Sequence, residues 1–111
     1  MSTSGRHLAR RLWQHRPMAD VTVQDDPAQS RYDALLGGGL AGFAAYRLQP
    51  DAVVFTHTEV DPAFEGQGIG GALARGALDD VRARGLAVVP LCPFIRAWIE
   101  RHPDYADLVR S

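Results

Sequence analysis

The sequence predicts a single α/β domain, a mixed and mostly antiparallel sheet of about five strands with one parallel βαβ unit and two main helices. Three observations predict it. Between Val21 and Val60, apolar and polar residues run in short alternating stretches, broken by turn-forming clusters at Asp26-Pro27, Gly37-Gly38-Gly39 and Gln49-Pro50-Asp51; this is the pattern of an antiparallel meander. From Gly68 to Arg84 the period becomes helical, with Ile69, Ala72, Leu73, Gly76, Ala77 and Val81 on one face. A short apolar run, Leu86 to Leu91, follows directly, so the strands on either side of the helix should be parallel.

Taken in order, the strands are expected over Val21–Asp25, Ser30–Leu36, Leu40–Leu48 and Ala52–Val60. The helix over Gly68–Arg84 turns Arg75, Asp79 and Arg82 outward, where they can pair weakly along it, and Gly85 suits its C-terminal cap. The strand Leu86–Leu91 should be short and buried. A second helix begins at Pro93 and runs to about His102, where Pro103 stops it and leaves a tail with Tyr105, Leu108 and Val109.

The bulk composition excludes several classes of function. A chain of 111 residues holds one core, and its 46% hydrophobic and 23% charged residues are those of an ordinary globular protein. The net charge of −1 lacks the basic surface of a general nucleic-acid binder. All the basic residues are Arg, which reads as genome composition. The single Cys92 excludes an intrachain disulfide framework and a cysteine zinc site, and His7, His15, His57 and His102 show no metal-ligand spacing. No apolar run approaches the roughly 20 residues of a membrane span, so the expectation is a cytoplasmic protein, monomer or weak homodimer, with a reduced thiol. Residues 1–17 differ from the rest. They carry Arg6, Arg10, Arg11 and Arg16 with no acid, hence +4 against −5 for the remainder. They are read as a disordered extension, or alternatively as a transit peptide, ahead of the domain at 18–111.

The stretch Phe55–Gly71 organises the chain: a strand that breaks at Asp61-Pro62, a glycine-rich loop, and the first turn of a helix. Amides freed by Gly66, Gly68, Gly70 and Gly71 can approach an anion unobstructed, and the helix N-terminus adds unpaired N–H groups and its dipole. The parallel topology brings the C-terminal ends of both strands, with His57, Glu59 and Cys92, to one edge of the sheet, where α/β folds place ligands. Pro90 and Pro93 supply no N–H there, so ladder pairing must be incomplete. A slot between splayed strands is the expected result.

In this order, Phe-Thr-His-Thr-Glu-Val (55–60), Glu-Gly-Gln-Gly-Ile-Gly (65–70), Val-Val-Pro-Leu-Cys-Pro-Phe (88–94) and Arg-His-Pro-x-Tyr (101–105) resemble a minimal, short subgroup of the GNAT superfamily of N-acetyltransferases. The resemblance covers about Val21 to Val109. It implies a minimal GNAT fold and transfer of an acetyl group from acetyl-CoA to an unknown amine, a protein lysine among the candidates. It also implies no metal. The CoA pyrophosphate would lie on the amides of Gly66, Gln67, Gly68, Ile69, Gly70, Gly71 and Ala72, with Thr58 and Val60 guiding the pantetheine. Phe94 would wall it, and Arg101 would lie near the adenine or 3′-phosphate. Two departures from the family pattern stand out. Glu65 replaces the usual Gln or Arg and should point away, while Cys92 and Ile99 stand where many members carry Asn and a general-acid Tyr. Those departures, with the short acceptor side, keep open a non-catalytic CoA-binding or protein-interaction module. A nucleotide-phosphate binder using the same loop is a third reading.

Three residues are candidates for chemistry. An amine of pKa about 10.4 must lose a proton at a cost of about 4–5 kcal/mol at pH 7, and an imidazole titrating near 6.5 suits that task better than a carboxylate near 4.3. His57 is thus either the base or a histidine packed on the sheet. Glu59, on the same strand face, is either its helper or a surface carboxylate. Cys92 is a nucleophile with His57 as its base, a compact wall of the acetyl pocket, or an inert buried thiol; an ordinary thiol near 8.5 is only a few per cent thiolate at pH 7.

Overall fold

The computed structural model describes residues 21–110; the basic segment at 1–17 lies outside them. Five strands, β1 (Val21–Asp26), β2 (Arg31–Leu36), β3 (Gly39–Gln49), β4 (Ala52–Val60) and β5 (Ala87–Pro90), form one sheet in sequential order. The first four pair antiparallel, and β5 pairs with β4 in parallel across helix α1 (Ile69–Ala83). Helix α2 (Pro93–Arg101) follows, then a 3-10 segment, Pro103–Leu108. The tail is not free: Val109 bridges Val88 in parallel, and the Arg110 N–H donates to the Val88 carbonyl at 2.8 Å. All predicted elements are present, with ends shifted by a residue or two.

Helix α1 lies on one face of the sheet and touches all five strands as well as α2. The core between them is made of large apolar side chains, Tyr32, Val53, Phe55, Ile69, Leu73, Leu78, Val81, Val88 and Ile95, each almost wholly buried and each worth about 1.5–3 kcal/mol in transfer from water. The buried stripe of α1 is wider than its periodicity suggests. Ala74 and Leu78 are buried, whereas Ala72 and Gly76 are half-buried, because the helix is covered by α2 as well as by the sheet. Gly76 is a contact position: a Cβ there would lie 2.7 Å from Val23 of β1.

Two register breaks bend the sheet. β3 carries an extra residue, Ala41, opposite the Ala34–Leu35 step of β2, and β4 carries an extra residue, Thr56, opposite the Ala45–Tyr46 step of β3. The Thr56 hydroxyl donates to the Ala45 carbonyl at 3.3 Å. After each bulge the side-chain alternation is offset. Thus Thr58 and Val60, paired with Ala44 and Gly42, share the helix-covered face with Phe55, while His57 and Glu59 turn to the other face.

Beneath α1, a polar network ties three strands to the helix. The Tyr32 hydroxyl donates to Asp80 and the Tyr46 hydroxyl to Asp25, each at 2.6 Å; Arg84 pairs with Asp25 at 2.6 Å and Asp80 at 2.9 Å. Burial first, then the hydrogen bonds to these carboxylates, push both phenols far above their ordinary value of 10.0. The native state therefore keeps protons that the unfolded chain releases above pH 10, so this contribution is intact below pH 10 and is lost as pH rises beyond it. Urea unfolding from about pH 8 to about pH 11 should show a steep alkaline loss of stability. Tyr32→Phe and Tyr46→Phe should each flatten that loss while costing about 1–3 kcal/mol at neutral pH.

Candidate functional site

The loop after β4 is built residue by residue to present amides. The Asp61 carboxylate accepts from the Ala63 N–H at 2.9 Å and caps a single 3-10 turn, Pro62–Phe64. Gly66 and Gly68 then adopt φ of +84° and +76°, a left-handed backbone that L side chains avoid. Gly68 is the N-cap of α1 and makes no side-chain cap. The first helical bond runs from the Ala72 N–H to the Gly68 carbonyl at 3.0 Å, so the amides of Ile69, Gly70 and Gly71 have no partner inside the helix. This corrects one expectation: the Ala72 amide is already engaged, and the free set ends at Gly71. Gln67 is exposed at the loop tip.

These amides open on a cleft of about 410 Å³. Val60, Phe64 and Ile69 lie at its base, Glu65, Gly66, Gly68, Gly70 and Gly71 form the loop side, and Phe94, Trp98, Arg101 and His102 of α2 and its cap form the opposite wall. Phe94, Arg101 and Glu65 all border this cleft. The absence of a Cβ at Gly70 admits the Phe94 ring, which lies 2.8 Å from where that atom would be.

Trp98 and His102 were not anticipated as a unit. Their rings stack at 3.8 Å with a 12° tilt, and the His102 Nδ1 donates to the Trp98 carbonyl at 2.8 Å. Their four-residue spacing across the last turn of α2 was the available signal. Behind them, Arg75 lies over the Trp98 ring at 5.4 Å and donates to the Tyr105 hydroxyl, which donates to Asp79 at 2.7 Å. Arg75 and Asp79 thus brace this wall rather than a solvated helix face.

The edge of β4 leads away from the cleft. β5 ends at Pro90, opposite Phe55, and the last rung is the Cys92 N–H donating to the Phe55 carbonyl at 2.9 Å. The Asp61 N–H donates to Ala41 of β3 at 2.8 Å. By alternation, the backbone groups of Thr58 and Val60 point the other way, where β5 no longer covers them. The expected splay is therefore present as an uncovered strand edge running from the cleft toward Cys92.

Cys92 is buried, and its Sγ lies 3.3 Å from the Thr58 hydroxyl. His57 Nε2 lies 3.2 Å from Glu59 Oε2, and its ring meets Phe43 edge-on at 6.2 Å. His57 and Glu59, read as sharing a strand face, are thus paired, whereas the reading of Cys92 as a nucleophile with His57 as its base finds no hydrogen bond between the two. The bulge at Thr56 sends Thr58 and Cys92 to the helix side of the sheet and the His57–Glu59 pair to the exposed side. Among the described residues no three His, Cys, Asp or Glu side chains converge as a metal site, and no helix is long and apolar enough to cross a membrane.

The GCN5-related N-acetyl-transferase family matches residues 31–108, and the chain belongs to that family. The fold is similar to the solution structure of a GCN5-like putative N-acetyltransferase from Staphylococcus aureus, with a TM-score of 0.63, 18% identity, and coverage of 84% of this chain and 91% of that one. It is also similar to the ribosomal-protein-S18-alanine N-acetyltransferase of Escherichia coli, with a TM-score of 0.51, 21% identity and coverage of 75% of this chain but 47% of that one. A ribosomal-protein-alanine N-acetyltransferase from Brucella melitensis biovar Abortus 2308 matches with a TM-score of 0.51 and 23% identity, over 73% of this chain and 63% of that one. The chain thus spans only about half to two thirds of these two enzymes, and such identities establish the shared fold. No curated protein matches the sequence significantly.

Two glycines with similar backbone strain separate the loop's structural and binding roles. Gly68→Ala and Gly85→Ala both force a side chain into positive φ, at +76° and +73°, and each should cost about 1–2 kcal/mol in urea unfolding. Only Gly68→Ala should also weaken binding of an anion to the loop amides, by about tenfold or more in calorimetric titration, because Gly85 lies at the far end of α1.

Proposed function

We propose that this protein is an acetyl-CoA-dependent N-acetyltransferase acting on a primary amine, with a protein lysine among its candidate acceptors. The observation that carries this reading is the continuity of the anion-binding loop with the uncovered edge of β4. The pyrophosphate would lie on the amides from Gly66 to Gly71, its charge favoured by the N-terminus of α1 and by Arg101. The pantetheine would extend along Thr58 and Val60, replacing the missing strand, and the thioester would arrive beside Cys92 and Thr58.

In this reading His57, held by Glu59, takes the proton from the amine on the exposed face of the sheet. The neutral amine attacks the thioester carbonyl, and the CoA sulfur leaves. Direct transfer is favoured over an acetyl-cysteine intermediate because Cys92 is buried and touches Thr58, with His57 across the strand. Cys92 then acts as a compact wall of the acetyl pocket.

One observation favours the non-catalytic alternative. Ile99 is buried where many relatives carry an acidic tyrosine, and the chain's three tyrosines all spend their hydroxyls elsewhere, Tyr32 on Asp80, Tyr46 on Asp25 and Tyr105 on Asp79. A departing thiolate, with a conjugate acid near 8.5, needs less help from an acid than an alkoxide does.

Thermal melting with acetyl-CoA, CoA and ATP tests the cofactor. A ligand at about 100 times its Kd should add about 2.7 kcal/mol, and the expected result is a shift with both CoA species and none with ATP. Release of free CoA in the presence of amines then tests turnover. His57→Ala should lower kcat/KM by about 10²–10⁴, and Cys92→Ala should retain turnover without accumulating acetyl-enzyme in intact mass spectra. Binding without turnover on any amine would establish the non-catalytic alternative.

A further inference from the structure

We infer that the acceptor enters through a second hollow, at the ends of β3 and β4, and that this hollow selects an unbranched alkylammonium, the chemistry of a lysine side chain or a free diamine. The inference rests on the proposed acetyl transfer and adds to it the place and class of the acceptor. The hollow is about 560 Å³, within the range of small-molecule sites. It lies between Leu40–Phe43 of β3 and Glu59–Pro62 of β4 and the turn after it. Val60 lines this hollow and the glycine-loop cleft alike, so an acceptor here adjoins the course proposed for the pantetheine.

The hollow is a product of local backbone design. The bulge at Ala41 offsets β3 beside it, and a Cβ at Gly42 would lie 2.6 Å from the Glu59 carbonyl oxygen. Glycine at 42 therefore lets the two strand ends approach along this wall. Leu40, 43% exposed, and the half-buried Phe43 give it apolar surface, against which methylene groups can pack.

Charge decides what kind of ligand fits. Among the described residues that line it, Glu59 and Asp61 are the only ones with charged side chains. Arg31 sits over the Phe43 ring at 4.9 Å, and its charge is already paired with Asp33 at 2.7 Å. An ammonium group is attracted here, whereas an acceptor bearing a carboxylate beside its amine is repelled. Glu59 also holds His57 at 3.2 Å, so the carboxylate that attracts the ammonium adjoins the group that removes its proton.

The step balances without another reactant. R–NH₃⁺ gives a proton to His57, and its nitrogen forms the C–N bond to the acetyl carbonyl. The C–S bond breaks, with the electron pair leaving on sulfur. The nitrogen sheds its second proton as the amide forms and the sulfur takes it up, while His57 releases the first, so that R–NH₃⁺ and acetyl-CoA yield R–NH–COCH₃, CoA–SH and one H⁺.

A binding experiment that needs no turnover tests the hollow directly. Cadaverine added to the ¹⁵N-labelled full-length protein should shift the amide signals of Gly42, Phe43, Glu59 and Val60, whereas glutarate, a dianion of the same chain length, should leave them in place. With acetyl-CoA present, Nα-acetyl-lysine methylamide and cadaverine should both react with kcat/KM about tenfold or more above that of a lysine-free peptide with an N-terminal alanine; the faster of the two identifies the natural source. Leu40→Arg should raise KM for both alkylamines by about tenfold and leave the thermal shift with acetyl-CoA unchanged. Absent cadaverine shifts, or equal rates on the three amines, would overturn the inference. Failure of acetyl-CoA itself to bind would instead remove the function on which it rests.

Discussion

The structure depends on β4 outlasting its parallel neighbour. β5 pairs with β4 from Ala52–Ala87 to Phe55–Pro90 and then ends, while β4 continues to Val60. The chain enforces this parting chemically. Pro90 and Pro93 have no N–H to extend the ladder, and the Cys92 N–H supplies one last bond to Phe55 before α2 begins. In an isolated sheet an uncovered strand edge is a liability, because it invites pairing with another chain. Here it lies at the C-terminal ends of the parallel strands and opens toward a helix N-terminus. In the proposed reading the same backbone groups hold an extended ligand rich in amides.

The bulge at Thr56 gives the edge two chemically different sides. Without the extra residue, simple alternation would put His57 and Glu59 on the face of Phe55, under α1, and would turn Thr58 outward. With it, Thr58 faces inward to Cys92, and the His57–Glu59 pair lies on the face that α1 does not cover. A thioester held in the plane of the sheet would then be sheltered by a thiol and a hydroxyl on one side and open to an amine and a base on the other. In the proposed reaction this separation also removes Cys92 from competition with the acceptor. Its nearest polar partner is a hydroxyl, not an imidazole.

Most of the fold was legible because it is written in local periodicity. The switch from period two to period 3.6 marked the βαβ unit, and the glycines at 66 and 68 marked the anion loop because only glycine tolerates that backbone cheaply. The resemblance in motif singled out Phe94 and Arg101, which line the cleft. The bulge was not legible, since it is a property of β4 measured against β3, and a one-residue offset changes the face of every side chain beyond it. That is why His57 could be read as a base for Cys92, with which it makes no hydrogen bond. The stacking of Trp98 on His102 and the cluster of Tyr32, Tyr46, Asp25, Asp80 and Arg84 were hidden for a similar reason. Each member is ordinary on its own, and the cluster's residues come from β1, β2, β3 and α1 with its C-terminal cap.

That cluster bears on the chemistry through what it consumes. A small domain has few tyrosines to spare, and this one commits all three hydroxyls to carboxylates that fasten elements together. Releasing one for acid catalysis would break a hydrogen bond to a carboxylate that ties elements together, a loss of about 1.5–3 kcal/mol from a stability that is itself small. A tyrosine acid is therefore costly to supply in this framework. The proposed direct transfer asks least of it: proton removal falls to an exposed histidine–glutamate pair outside the core, and the leaving group is a thiol, which departs readily without an acid. The economy of the fold and the choice of base thus have a common origin in how little of the chain is left over once the core is closed.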